Sequence, residues 1–269
     1  MVPVSVIIPF YNDPGYFPEM LGSVRAQTQA PAEIVVVDDG SDSDEARRFL
    51  AGLDADIRLV RLRSNRGPGV ARNAGVEAAT QPYIAFLDCD DVWMPHKLES
   101  QYGLMAAWRE LDMTYTQASY AVGADGLRVS FPSEGRPLLE AVLTNHRMTT
   151  PSIMVKRESF ERVGGFDPKF RCTQDWDFCI RCVLAGFAIA PIAEPMVVVR
   201  RQGHGNHSSN WRCFLAGHLR VVLKHRRAYR QCFGLRPWVH QLAYELYRGG
   251  ARQGGLLGSL LMLPYRIGV

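Results

Sequence analysis

The sequence predicts an α/β fold, a mostly parallel central sheet flanked by helices and followed by a helical C-terminal tail. Three observations carry this. The runs VSVIIP (Val4–Pro9), IVVV (Ile34–Val37) and YIAFL (Tyr83–Leu87) have the β-branched, apolar composition of strands buried on both faces. Stretches with helical spacing alternate with them, as in βαβ units. Polar clusters follow those strands at once, where open α/β sheets bind their ligands.

Taken in order, Val4–Pro9 is the first strand. Tyr16 to Gln29 is helical, with Phe17, Met20, Leu21 and Val24 on one face. Ile34–Val37 is the second strand, ended by Asp38-Asp39-Gly40-Ser41, and Asp44 to Leu53 is a helix. Ile57–Leu62 is a third strand, Gly69 to Ala79 a helix, and Tyr83–Leu87 a fourth strand ended by Asp88. A helix follows Pro95, and Met113–Val122 and Gly126–Phe131 read as strands around a turn at Ala124-Asp125-Gly126. Leu138–Asn145 is a helix, Ser152–Lys156 a short strand, and a further helix ends at Gly164-Gly165. Asp175 to Ala185 is helical and Met196–Arg200 is the last strand. Beyond Trp211 the pattern is helical, with breaks near Gly234–Pro237 and Gly249-Gly250.

The polar clusters carry the chemistry. Pro9-Phe10-Tyr11-Asn12, Asp38-Asp39-Gly40-Ser41 and Asp88-Cys89-Asp90-Asp91 each have turn-forming composition, but together they fall at one edge of one sheet. Asp88 and Asp90 can turn toward one point and hold a hard divalent cation against a diphosphate. The alternative is an acidic loop leading into a helix capped near Asp91. Asp38 and Asp39 can accept hydrogen bonds from a base or ribose, or cap the next helix. Gly67 and Gly69 make a tight loop into a helix that carries Arg72 near its start, where the dipole disfavours a cation without an anionic partner. A diphosphate would supply that partner; the plainer reading is a surface salt bridge. Asp175 opens a helix, as a cap or as a general base facing an acceptor hydroxyl. His204 and His207, in a Gly-rich loop, can reach a metal or stay solvated. Cys179 and Cys182, with Cys172 nearby, lack a second pair at zinc spacing and read as buried thiols on an amphipathic helix.

Charge is unevenly spread. From Trp211 onward ten Lys/Arg accompany one Glu, while residues 1–210 hold 21 Lys/Arg against 26 Asp/Glu. A basic tail suits phosphates or an anionic membrane surface, or forms a solvated helical cap. Met1 to Phe10 has no signal-peptide character, and no apolar stretch reaches the ~18 residues a bilayer span requires. Six cysteines without a signal read as reduced thiols in a cytoplasmic protein. A nicotinamide dehydrogenase is excluded because Gly67-Pro68-Gly69 lacks the G-x-G-x-x-G continuation. Nucleotidyltransfer would want a Gly-rich basic loop after the first strand, where Phe10-Tyr11-Asn12-Asp13-Pro14-Gly15 stands instead.

With these residues in place, the chain resembles glycosyltransferase family 2, whose members have the GT-A fold. The likeness rests on VSVIIPFYN (Val4–Asn12), IVVVDDGS (Ile34–Ser41), NRGPGVARNAG (Asn65–Gly75), FLDCDDVWMP (Phe86–Pro95), GGFDPKF (Gly164–Phe170) and QDWDFCIR (Gln174–Arg181), in that order. It implies a GT-A domain over residues 1–210, nucleotide-binding over about 1–105 and acceptor-binding over 106–210; the basic helical tail, 211–269, lies outside the likeness. It also implies roles. Pro9, Tyr11, Asp38 and Asp39 would line a nucleoside pocket, and Arg72 would touch base or phosphates. Asp88 would contact ribose or metal, Asp90 with His204 would bind Mn2+ or Mg2+, and Asp175 would be the base of an inverting transfer. Where family members often carry Glu before the base, this chain has Gln174. The implied partners are a nucleotide-diphospho-sugar and a glycan or lipid-linked acceptor, in bacterial surface polysaccharide or lipopolysaccharide assembly. The basic and aromatic residues of the tail suit either a contact with the cytoplasmic membrane face or a helical cap packed on the domain or a dimer contact. A non-catalytic nucleotide-sugar-binding protein is the alternative, against which intact Asp88, Asp90 and Asp175 speak.

Overall fold

Chain order runs β1 (Val2–Phe10), α1 (Phe17–Arg25), β2 (Pro31–Asp38), α2 (Asp44–Ala51), β3 (Ile57–Arg61), α3 (Pro68–Ala78) and β4 (Tyr83–Phe86). Then come β5 (Val92–Trp93), α4 (Lys97–Ala107), β6 (Met113–Val122), β7 (Gly126–Val129), α5 (Leu138–Thr144), β8 (Ile153–Lys156), α6 (Arg157–Arg162) and α7 (Gln174–Leu184). The last elements are β9 (Ile189–Arg200), α8 (Trp211–Lys224) and α9 (Arg226–Phe233). This computed structural model describes residues 1–122, 126–129, 137–144, 148–200 and 211–235. The tip of the turn expected at Ala124-Asp125-Gly126, His204, His207 and the tail from Arg236 onward, with its apolar stretch from Leu256, lie outside the described residues, Gly126 excepted.

One sheet has the order β3-β2-β1-β4-β8-β6-β9-β5, with β7 paired to β6. β3, β2, β1 and β4 are parallel, as the alternation of strands and helices predicts. Past β4 the sheet is mixed. β8 runs antiparallel to both neighbours, β9 is parallel to β6, and β5 and β7 are antiparallel edges. Two features escape a reading by pattern. β5 is two residues long, and β9 begins at Ile189 through Pro191 and Pro195, which remove ladder donors. The β6–β9 register shifts on either side of Gln117, which pairs with Pro195.

The central strands β1, β2 and β4 are buried on both faces over most of their length, and the pleat divides their side chains between two cores. Ile7, Val35, Val37, Ile84 and Phe86 face α3, α5 and α7, where Phe160, Phe166 and Phe178 form an aromatic cluster. Val6, Ile8, Phe10 and Val36 face α1 and α2. Gly75 brings α3 onto the sheet: a Cβ there would lie 2.4 Å from Ile7 Cγ2 and 3.0 Å from Val37 Cγ2.

The helices after Trp211 are part of this packing. Val221, Val222, Ala228 and Tyr229 are buried in the same core as α7, and the Tyr229 hydroxyl donates to the Leu143 carbonyl at 2.5 Å. Gly217 presses on the residues before α7, where a Cβ would meet Thr173 Oγ1 at 2.7 Å. Here the expectation of reduced thiols is corrected: Cys172 and Cys213 form a disulfide. The two are 41 residues apart, and only the docking of α8 on the segment before α7 brings them together. Cys179 and Cys182 are buried free thiols, as their helical spacing implies, and burial pushes Cys182 up to about 12. Among the described residues no helix is long and apolar enough to cross a membrane.

Candidate active site

Parallel pairing of β2, β1 and β4 sets three loops side by side. Phe10 pairs with Asp38, and Ile7 with Phe86, so the chain leaves all three strands at one edge. Pro9 fits in this central strand because β4 pairs only as far as Ile7, so its missing N–H breaks no bond on that side. Tyr11, just beyond, is 40% exposed.

Asn12, in the left-handed region at φ 57°, stitches the first loop to the second. Its N–H donates to Ser41 Oγ at 3.0 Å, and its Oδ1 accepts from the amides of Asp42 and Ser43, both at 3.0 Å. Asp38 Oδ1 accepts from the Ser41 amide at 2.8 Å, which closes the turn. Gly40, at φ 72°, is required because a Cβ would lie 2.5 Å from the backbone of Ser64.

Asp39 is buried and reaches the third segment. Its two carboxylate oxygens accept from the amides of Arg66 (2.8 Å) and Gly67 (2.7 Å), where α3 is about to begin. Burial pushes its carboxyl above the ordinary value, against the pull of those two hydrogen bonds. It therefore caps the entrance to α3 rather than that of α2, where Ser43 accepts from Ala46 N.

Arg72, on the next turn of α3, is 2% exposed and ion-paired with Asp88 at the end of β4. The surface salt bridge considered from sequence is thus one between a buried guanidinium and a half-buried carboxylate, and the anionic partner within the chain is Asp88. The guanidinium lies 5.6 Å from the Phe166 ring centre. Its Nε and one Nη are buried without a hydrogen-bond partner among the described residues.

Asp88 and Asp90 are half-buried, and Asp91 is buried. Burial, then the charge of Asp88, pushes the Asp90 carboxyl up to about 6, and Asp13 on the first loop adds to it. Asp91 is pushed up by burial and then by the charges of Asp88 and Asp90. It does not cap a helix, because β5 intervenes and His96 holds the N-cap position of α4. Its Oδ1 accepts from the Arg200 amide at 3.0 Å, and Arg200 Nη1 donates to the Asp90 carbonyl at 3.4 Å. Neither Asp13 nor Arg200 stood out in the sequence: one sits among turn residues, the other simply ends a strand.

α7 closes the group from the far side. Thr173, left-handed at φ 60°, precedes it, and Asp175 lies in the first turn with Oδ1 accepting from Trp176 N at 2.9 Å. A Cβ on Gly69 would sit 3.6 Å from Gln174 Cβ and 3.4 Å from Phe166 Cβ, so the starts of α3 and α7 are in contact. The Asn73 side chain locks them further, donating to the Phe166 carbonyl at 2.7 Å and accepting from its amide at 2.9 Å. Two residues past Asp175, Asp177 is buried beneath the surface, taking Arg181 Nε at 2.8 Å, Lys224 Nζ at 2.7 Å and His225 Nε2 at 2.8 Å.

The start of α3 is therefore a hub: Asp39 caps it, Arg72 ties it to Asp88, and Gln174 beside Asp175 rests on it. Chemically, the charge of Asp88 disfavours a second charge on Asp90, and a divalent cation held by the two would relieve that repulsion. Hard cations suit such oxygen donors. Among the described residues no three His, Cys, Asp or Glu side chains are arranged so as to hold a metal ion by themselves.

Solved structures share this architecture. Residues 1–349 of S. aureus TarS in complex with UDP-GlcNAc align with a TM-score of 0.67 at 17% identity, over 98% of this chain and 87% of that one. The mannosyltransferase PcManGT from Pyrobaculum calidifontis, in complex with GDP-Man and Mn2+, aligns at 0.66 with 19% identity, over 99% and 76%. The fold is that of the GT-A glycosyltransferases.

The sequence profile of glycosyl transferase family 2 matches residues 5–164. An uncharacterized glycosyltransferase of Nostoc sp. is 33% identical over 77% of this chain and 67% of its own length. A putative teichuronic acid biosynthesis glycosyltransferase, TuaG of Bacillus subtilis, is 29% identical over 78% and 83%. The chain belongs to glycosyltransferase family 2.

Proposed function

We propose that the protein is a metal-dependent, inverting glycosyltransferase that moves a sugar from a nucleotide-diphospho-sugar to an acceptor hydroxyl. The observation that carries this is the hub at the start of α3, which links Asp39, Arg72, Asp88 and the segment of Asp175 through direct contacts. In this reading Pro9, Tyr11, Asp38 and Asp39 border the nucleoside. Arg72, buried yet with unpartnered N–H donors among the described residues, meets the diphosphate. Asp90, with Asp88 beside it and His204 from the segment outside the described residues, would hold Mn2+ or Mg2+. The bound ion would supply charge neutralisation on the leaving diphosphate.

Asp175 is the base. It lies at the positive end of α7, which favours the carboxylate. It takes the acceptor's proton as that oxygen bonds to the anomeric carbon, while the bond from that carbon to the diphosphate oxygen breaks on the opposite face. One base and one displacement invert the anomeric centre. The relative in teichuronic acid biosynthesis and the basic balance of residues 211–269 support an acceptor in surface polysaccharide assembly at the inner membrane face.

The test has two arms. A thermal-shift screen of nucleotide sugars should show a donor whose stabilisation requires Mn2+ or Mg2+. Asp175→Asn should keep that stabilisation and lower transfer by roughly 10²–10⁴-fold. Undiminished transfer would assign the base elsewhere.

A further inference from the structure

We infer that Gln174 reads a hydroxyl of the transferred sugar; the inference rests on the donor site proposed above and adds the group that recognises the sugar rather than the nucleotide. Gln174 is 8% exposed, and its Oε1 is buried with no hydrogen-bond partner among the described residues. The same holds for Nε and one Nη of Arg72. The two side chains lie on neighbouring positions of the contact between α3 and the start of α7. Gln174 packs on Gly69, Arg72 is three residues further along the same helix, and Phe166 touches both positions.

The chemistry separates the two residues. A guanidinium only donates, and a carboxamide oxygen only accepts. An ionised diphosphate satisfies Arg72 but offers no proton to Gln174 Oε1. A hydroxyl does, and it accepts a hydrogen bond as well, so it fits between an acceptor and a cluster of donors. Because Gln174 adjoins Asp175, that hydroxyl belongs near the anomeric carbon. It belongs to the donor because the Gln174 side chain rests on α3, the element that holds Arg72 and Asp88. A neutral amide in this place accepts the hydrogen bond without setting a second charge beside Asp175.

The experiment is calorimetric binding to the full chain with Mn2+, using the pairs UDP and UDP-GlcNAc, UDP and UDP-glucose, and GDP and GDP-mannose. Gln174→Met keeps the packing against Gly69 and removes the acceptor; melting temperatures verify that it folds. The nucleoside diphosphate should bind the variant within about twofold of wild type, and the matching nucleotide sugar about tenfold more weakly. Gln174→Glu, which restores an acceptor, should recover most of the sugar-dependent affinity. Among deoxy analogues of the bound donor, one should weaken wild type about tenfold and leave Gln174→Met unaffected. Equal loss for diphosphate and nucleotide sugar, or no loss for either, overturns the inference while leaving the donor site standing. If wild type binds none of these compounds, the donor site falls and the inference with it.

Discussion

Replacing Asp177 with Asn should unfasten the C-terminal helices from the domain. Its carboxylate is wholly buried, a state that by itself would push the group up. Hydrogen bonds from His225 and Lys224 and the charge of Arg181 outweigh that and hold it down at about 2, against an ordinary 3.8. A carboxylate held that low contributes about 2.5 kcal/mol at neutral pH. Asp177→Asn should remove that much, and Asp177→Ala, which strands the cations, about 3–5 kcal/mol. For a domain of this size the Asn variant should melt roughly 5–10 °C lower. The pH dependence has a definite sign. The folded-state value is depressed, so the contribution is complete above the unfolded value near 4 and disappears as pH falls through about 2. Urea titrations between pH 7 and pH 2.5 should give wild type a steeper acid decline than Asp177→Asn. A variant within about 0.5 kcal/mol of wild type at pH 7, or one with the same acid slope, would refute the reasoning.

Three other outcomes are expected. Gly75→Ala drives a methyl to 2.4 Å from Ile7 Cγ2 and should destabilise by roughly 1–3 kcal/mol in chemical denaturation. Cys213→Ser opens a loop of 41 residues' separation and should cost about 2–4 kcal/mol; mass spectrometry of unreduced protein should find the 172–213 crosslink before and not after the change. Asp39→Asn leaves one oxygen to serve two amides, those of Arg66 and Gly67, and should cost about 1–3 kcal/mol; an unchanged denaturation midpoint would count against its role as the cap of α3.

The first half of the fold was legible because three of its four parallel strands contain a continuous apolar run. Val4–Pro9, Ile34–Val37 and Tyr83–Leu87 mark β1, β2 and β4, and the loops that follow share an edge because parallel pairing requires it. β5 and the front of β9 were hidden, one by its two-residue length and the other by prolines whose place in the ladder is set by pairing with β6. In the site, the residue types at the strand ends were readable, and their partners were not. The ion pair of Arg72 with Asp88, the grip of Asp39 on Arg66 and Gly67, and the contact of Asp91 with Arg200 all depend on tertiary placement. The Cys172–Cys213 bridge was invisible for the same reason: spacing gives no hint of which distant helix will dock before α7.

The Asp177 cluster has a practical corollary for protein engineering. Lys224 and His225 answer a carboxylate two positions past Asp175, while Cys213 and Gly217 meet the residues ahead of it. A mosaic that swaps the segment around Asp175 between relatives, yet keeps its own residues 211–235, would pair mismatched halves of one buried lock. Exchanges of this segment are therefore better made with residues 157–235 as a single cassette, and a shortened chain ending at residue 210 would expose an apolar seam and tend to clump.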